Sequence, residues 1–351
     1  MADDDNFEPR ERRQRRLRPR INMGALHPTT FRENFRLSVE VATALEDLIS
    51  GTVAHDTGLN MALTPRQQLL VSLRFYATGA YLRLVGDGHG VSEATVCRAI
   101  HRVTDAIIHR CPGAITWPSD PAALGRLKED FRQVAGLPDI VGCIDGTHVR
   151  LTVPREQREA YINRKGFPSL NVMAVAAPDR SIVALSVHCG GRVHDARVLA
   201  TSGLPDYFRN GNPVMGAMML GDSGYGLSPW LMTPIADPTT AEERAYNNAH
   251  ARTRVVVENA FGVLKMRFGA LEFGLRLKSV ARCVAVIHTC FILHNMCIKG
   301  GDFGEWLGPL RQDEGMVQEP ADGAAELPAA GAERRAGLVR RNDLVRLFVR
   351  H

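Results

Sequence analysis

Three β-branched runs in close succession constrain this chain more than any other feature. Asp139-Ile-Val-Gly-Cys-Ile-Asp-Gly-Thr-His-Val-Arg-Leu-Thr-Val153, Ser169-Leu-Asn-Val-Met-Ala-Val-Ala-Ala-Pro178 and Ser181-Ile-Val-Ala-Leu-Ser-Val-His-Cys189 are short, apolar and bounded by Pro, Gly or Asp. That pattern predicts consecutive strands. A helical segment over 194–208 follows, then a further strand ending at Leu220-Gly-Asp222. A loop rich in Pro, Thr and Glu leads to a long helix over 251–268, and a last apolar helix covers 279–298. Three strands, a helix, a strand and helices predict an α/β domain built on a mixed sheet.

The region before these strands reads as helical. Ser38 is an N-cap for a helix over 36–49, and Thr64-Pro65 places Thr at a cap and Pro at the first helical position of a helix running to about Leu84. Gly86-Asp-Gly-His-Gly90 then reads as a break, and Ser92 caps a third helix bearing Arg98, His101 and Arg102. Helix, glycine turn and capped helix form a helix-turn-helix-like pattern, which is also compatible with a plain helical bundle.

Charge is unevenly distributed. The net charge of +5 is modest, but Arg10 to Arg20 holds seven arginines. A block this dense cannot bury itself and is expected to be a disordered arm that contacts phosphate or directs nuclear import. The acidic, then basic start contains no apolar segment of the kind that opens a secretory signal. Seven scattered cysteines in core-like segments predict reduced thiols and a cytosolic or nuclear protein. The stretch 281–298 is interrupted by Arg282, His288, His294 and Asn295, so it is expected to be a buried helix and not a membrane span. Its Cys283, His288, Cys290, His294 and Cys297 lack the paired spacing of a zinc knuckle and read as core. Residues 309–335 are low in complexity, and Arg334 to His351 is a basic amphipathic stretch able to dock on the body or on a partner.

Three acids need an explanation. Asp145 sits inside an apolar strand, where an unpaired carboxylate is costly. Asp222 ends a strand, where open α/β sheets place ligands. Glu258 lies in the apolar helical run Val255-Val-Val-Glu-Asn-Ala-Phe-Gly-Val-Leu264. Taken singly, Asp222 reads as a turn former and Glu258 as the partner of Arg254 four residues earlier. Together they are the oxygen-rich donors that Mg²⁺ or Mn²⁺ requires, and two such ions can stabilise an in-line displacement at phosphorus. Arg164 and Lys165, between the first two strands, and Arg254 and Lys265, on about the same helical face as Glu258, read as phosphate holders or as ordinary surface charge, and His148 and His194 flank the acids.

Cys143-Ile-Asp-Gly-Thr-His-Val149, Tyr161-Ile-Asn-Arg-Lys-Gly166, Leu220-Gly-Asp-Ser-Gly-Tyr225, Trp230-Leu-Met-Thr-Pro234 and Val257-Glu-Asn-Ala-Phe-Gly-Val-Leu-Lys265 occur in this order. With them the chain resembles the PIF/Harbinger superfamily of DDE transposases, most of all its animal Harbinger-transposase-derived nucleases, over about residues 31–298. The resemblance implies an RNase H-like fold and catalytic acids at Asp145, Asp222 and Glu258. Asp195 matches a further acidic position of the metal site. It also implies a divalent cation (Mg²⁺ or Mn²⁺), DNA as substrate, a nuclear and cytoplasmic location, and a separate Myb/SANT-like DNA-binding partner. The chain then divides into a basic arm (1–30), a helical helix-turn-helix-like region (31–130), an RNase H-like DDE domain (137–298) and a flexible linker with a basic tail (299–351). A domesticated DNA-binding or scaffold protein that no longer cleaves is the rival reading. Oligomeric state, homo-oligomers included, is left open.

Overall fold

Local capping signals set most element boundaries. A computed structural model describes residues 26–55, 62–118, 120–210, 216–303 and 331–349; the arginine block and residues 304–330 lie outside them. Helices α1 (Pro28–Phe35), α2 (Val39–Val53), α3 (Pro65–Thr78), α4 (Leu82–His89), α5 (Glu93–Arg110) and α6 (Pro121–Ala135) precede the first strand. Ser38 caps α2 through its side chain, Thr64 and Gln67 form a reciprocal capping box on α3, and Ser92 caps α5.

The helix expected to reach Leu84 stops at Thr78. Gly79 adopts φ +62° and closes the helix on the Phe75 carbonyl, and a Cβ there would lie 3.0 Å from Ala270 Cα. The expected break at 86–90 is instead the end of α4. Gly86 lies inside the helix because a Cβ would lie 2.6 Å from the Val91 carbonyl, and Gly90 (φ +68°) terminates it. Buried Val96, Ala99, Ile100 and Val103 seat α5 among the preceding helices and turn Arg98 and Arg102 to solvent.

The expected strands are present as β1 (Ile140–Arg150), β2 (Ser169–Ala176) and β3 (Ile182–Gly190), with a short helix α7 (Arg158–Tyr161) after β1. Helices α8 (Asp195–Ala200) and α9 (Leu204–Arg209) replace the single helix expected over 194–208, because Gly203 takes φ +78° between them. β4 (Met218–Leu220) and β5 (Leu231–Met232) complete a five-stranded mixed sheet of order β3-β2-β1-β4-β5. β1, β2 and β3 pair antiparallel, whereas β1, β4 and β5 pair parallel. β2 is buried along its whole length, as a strand covered on both faces must be.

Three helices follow: α10 (Ala241–Arg267), α11 (Gly269–Phe273) and α12 (Val280–Lys299). α10 begins ten residues before the helix expected from residue 251, because Thr240 and Glu243 form a second capping box inside the apparent loop. α12 is long and apolar enough to cross a bilayer, but Cys283, Ile287, Cys290, Phe291, Leu293 and Cys297 are fully buried in the core. His294 gives its Nε2 to a bond with the Arg180 carbonyl at 2.9 Å, and burial pushes its pKa down to about 4. These Cys and His side chains are core residues.

The basic tail, expected to be able to dock on the body or on a partner, lies on the body. It forms α13 (Gly331–Arg346), which packs on α10 and β5. Leu344 is buried, Arg209 pairs with Glu333 at 2.7 Å, and Arg341 donates to the Pro234 carbonyl at 3.2 Å. A second staple joins the first two helices to the segment after α12. Asp302, itself buried, receives Arg267 at 3.3 Å, Arg32 at 3.2 Å and the Ser38 amide at 2.7 Å.

Candidate active site

β1 carries Asp145 just past the end of its parallel neighbour. β1 and β4 are in register at Cys143 and Leu220, so the chain emerging from β4 brings Asp222 alongside Asp145. From the same side α10 crosses β1, fixed by a bond from Cys143 Sγ to the Thr253 carbonyl at 3.4 Å. The next residue of the helix, Arg254, turns inward. Its Nη1 lies 3.3 Å from Asp145 Oδ2, and its Nη2 donates to Glu258 Oε1. The intrahelical pair read from the sequence therefore exists, but it is half of a larger cluster. Backbone amides hold two further oxygens: Gly146 N–H donates to Asp145 Oδ1 at 2.9 Å and Gly224 N–H to Asp222 Oδ1 at 3.0 Å.

Burial dominates the electrostatics. It pushes Asp145 up to about 7, against the pull of Arg254, with the charges of Asp222 and Asp195 adding to the rise. Asp222 is raised for the same first reason, opposed by Arg254 and reinforced by Asp195. Burial works against the charge on Arg254, but Asp145, Glu258 and Asp222 together outweigh it and keep the guanidinium protonated.

Asp195 enters from the other face of the strand. Side chains alternate along β1, so Cys143 and Asp145 face α10 while Gly146, His148 and Arg150 face away. Asp195, the first residue of α8, packs against Gly146 so closely that a Cβ there would lie 2.6 Å from its Oδ1. Asn171 Nδ2, on β2 opposite His148, donates to that same oxygen at 2.6 Å. Only a glycine in β1 admits this approach. Among the described residues, no three Asp, Glu, His or Cys side chains are gathered closely enough, as placed, to hold an ion.

The donors still fit a hard divalent cation in chemistry. Asp145, Asp222, Glu258 and Asp195 supply oxygens alone, and Asn171 Oδ1 is buried without a hydrogen-bond partner. Arg254 stands in for the positive charge, so ligation by both Asp145 and Glu258 requires it to withdraw.

Positive and polar groups surround the acids. His148 Nδ1 lies 3.0 Å from Ser169 Oγ, which also accepts from Asn163 Nδ2 at 3.0 Å. Lys265 Nζ is 3.5 Å from the His148 carbonyl, and Arg164 and Lys165 are exposed on the loop before β2. His194 is exposed at the start of α8 and makes no capping bond. Sequence reasoning missed Asn171, Ser169 and Asn163. An Asn inside the apolar run Leu170-Asn-Val-Met-Ala174 was the available signal, since a buried amide must be held by partners.

The family described as DDE superfamily endonuclease matches residues 144–295, a span that holds all four acids and Arg254. The chain is 33% identical over 284 residues to the mouse protein named "Putative nuclease HARBI1", covering 80% of each chain. Its human counterpart is 32% identical, covering 79% of each. The Arabidopsis thaliana "Protein ALP1-like" is 25% identical, covering 85% of this chain and 77% of that one. No solved structure matches the chain.

Proposed function

The chain belongs to the DDE superfamily of endonucleases, in the family of HARBI1, and on that premise we propose that it is a divalent-metal-dependent nuclease hydrolysing phosphodiester bonds in DNA. The catalytic domain is then of RNase H-like type. Asp145, Asp222 and Glu258 hold Mg²⁺ or Mn²⁺, and Asp195 flanks them. When bound, the cation would make water nucleophilic and stabilise charge at the phosphorus. This chain's own groups orient the reaction. The amides of Gly146 and Gly224 fix one oxygen of each aspartate. Ser169 and Asn163 hold the His148 ring, and Lys265, Arg164 and Lys165 offer charge to phosphate.

The single observation that carries this reading is that β1, the turn after β4 and α10 bring Asp145, Asp222 and Glu258 around one guanidinium, that of Arg254. A Myb/SANT-like DNA-binding partner and a nuclear and cytoplasmic location belong to the same reading. Plasmid nicking with Mn²⁺ tests it. Loss of nicking in Asp145→Asn with an unchanged circular-dichroism spectrum supports the assignment, and undiminished nicking rejects it.

One observation favours a second reading, a DNA-binding or scaffold protein that does not cleave. Arg254 neutralises Asp145 and Glu258 together, which is how a site without a cation stays folded. Calorimetry separates the two readings, because the scaffold binds no Mn²⁺ at millimolar concentration.

A further inference from the structure

We propose that a ridge of alternating aromatic and cationic side chains, running from α4 to β1, seats a single strand of nucleic acid on its way to the acids. The inference rests on the nuclease reading above and adds to it the path and form of the substrate.

The ridge begins at Tyr81 and Phe273, which are 61% and 64% exposed, unusually open for large rings. Arg276 links them to the sheet. Its guanidinium lies 4.7 Å from the centre of the Tyr81 ring, and its Nη1 donates to the Gly79 carbonyl at 3.0 Å. The residue before it, Leu275, is laced to β1: its amide donates to the Arg150 carbonyl at 2.8 Å, and its carbonyl accepts from Thr152 N at 3.0 Å. Arg150 repeats the motif, stacking 4.1 Å from the centre of the Phe167 ring. Phe167 in turn follows exposed Arg164 and Lys165. Arg150 also shares a face of β1 with His148 and Gly146, the face on which Asp195 closes. Four residues of strand separate Arg150 from Gly146, where Asp195 closes on the same face, about 13 Å, a span of roughly four stacked nucleotides. The acid Glu272 within the ridge is paired with Lys265 at 3.5 Å, which lowers its repulsion of phosphate.

Charge and ring chemistry choose the occupant. The core of a protein interface is depleted in charge, whereas here two rings are topped by arginines. A duplex keeps its base faces stacked on one another, so exposed rings reward only unpaired bases, with cations tracking the backbone between them. The ridge also ends at Gly146, where Asp195 closes on the strand beside the proposed site of cleavage.

Fluorescence anisotropy on the full-length chain, with Ca²⁺ to prevent turnover, tests this. The probes are a labelled mixed-sequence single strand and the duplex made from it. Tyr81→Ser/Phe273→Ser, with fold checked by circular dichroism, should bind the single strand about tenfold more weakly and the duplex within about twofold of wild type. Arg276→Gln should reduce the salt dependence of single-strand binding by about 0.7 in log–log slope. Unchanged single-strand affinity in both variants overturns the proposal, and so does an equal loss on the duplex. A shift from dimer to monomer in sedimentation, with nucleic-acid binding unchanged, assigns the patch to self-association and also overturns it. Those results leave the nuclease reading intact; a wild-type chain that binds neither probe removes both.

Discussion

Arg254 and Asp145 form a half-buried ion pair across the α10–β1 interface, Nη1 to Oδ2 at 3.3 Å, while Arg254 Nη2 holds Glu258 one helical turn away. The two elements that carry Asp145 and Glu258, proposed above as catalytic, are thus joined by a cation belonging to the chain itself. A charge held this way stabilises the acidic cluster and opposes entry of any other cation.

Replacing Arg254 should therefore separate the two effects. Arg254→Gln leaves two half-buried carboxylates without their cation, which costs about 1–3 kcal/mol of metal-free stability. The same substitution should tighten Mn²⁺ binding about tenfold, a difference of about 1.4 kcal/mol, because the ion no longer displaces an ion pair. Thermal melts with and without Mn²⁺ and calorimetric titration measure both. Mn²⁺ binding that is unchanged or weaker in the variant would show that Arg254 supports the ion and does not compete with it.

Asp145 sets the pH dependence. Folding raises its pKa from 3.8 to about 7, mainly through burial, so the folded chain holds this proton more tightly than the unfolded one. Its contribution to metal-free stability is fully present below about pH 4 and is lost as pH rises through 7. Asp145→Asn removes that loss. The variant should match wild type near pH 4 and exceed it by roughly 2–4 kcal/mol at pH 8. Urea melts across that range measure the gap. A gap that does not widen between pH 4 and pH 7 contradicts the raised pKa. Mn²⁺ binding has the opposite slope, weakening about tenfold per unit below pH 7 as the carboxyl protonates.

How much of this was legible in the sequence follows from where each signal resides. Asp145 and Glu258 stood out because a charge in an apolar run needs a partner, and the strand order followed from composition and turn residues. The Arg254–Glu258 spacing was visible too, but not that the guanidinium turns inward to Asp145, since that depends on which face of α10 meets β1. β5, only Leu231–Met232, is too short to leave a periodic trace. Asp302 acquires its role only through Arg267 and Arg32, and nothing local marks so distant a pairing. The break at Gly79 was missed because its left-handed backbone answers to Ala270, remote in sequence.

Gly146 offers a steric test of the acid on the opposite face. A Cβ at this position would meet Asp195 Oδ1 at 2.6 Å, and Asn171 holds that carboxylate in place at 2.6 Å. Gly146→Ala should displace Asp195 and cost about 1–3 kcal/mol, the usual range for overpacking. If Asp195 contributes to Mn²⁺ binding, affinity falls along with stability. A loss of stability with unchanged Mn²⁺ affinity would exclude Asp195 from the metal site while leaving Asp145, Asp222 and Glu258 untouched.

The C-terminal helix protects the far edge of the sheet. β5 is the last strand on that side, and the carbonyls beside it are taken by α13: Arg340 donates to Pro229 at 3.1 Å and Arg341 to Pro234 at 3.2 Å. Leu344 anchors the helix from its buried position. Arg341→Ala with Leu344→Ala removes one cationic donor and one apolar anchor. The anchor alone is worth about 2–5 kcal/mol when truncated in a core, less where the site can collapse, as at a helix on the surface. The first event should be local detachment of α13, ahead of global unfolding, because the sheet keeps its pairing through β4. Limited proteolysis should then cut within 331–349 faster than in wild type, and light scattering should show association through the uncovered edge. Equal cleavage rates in the two proteins would mean that α13 is not held by these contacts. Because α13 also packs on α10, its release should loosen the helix that carries Arg254 and Glu258, and weakened Mn²⁺ binding in the double variant is the expected consequence at the site.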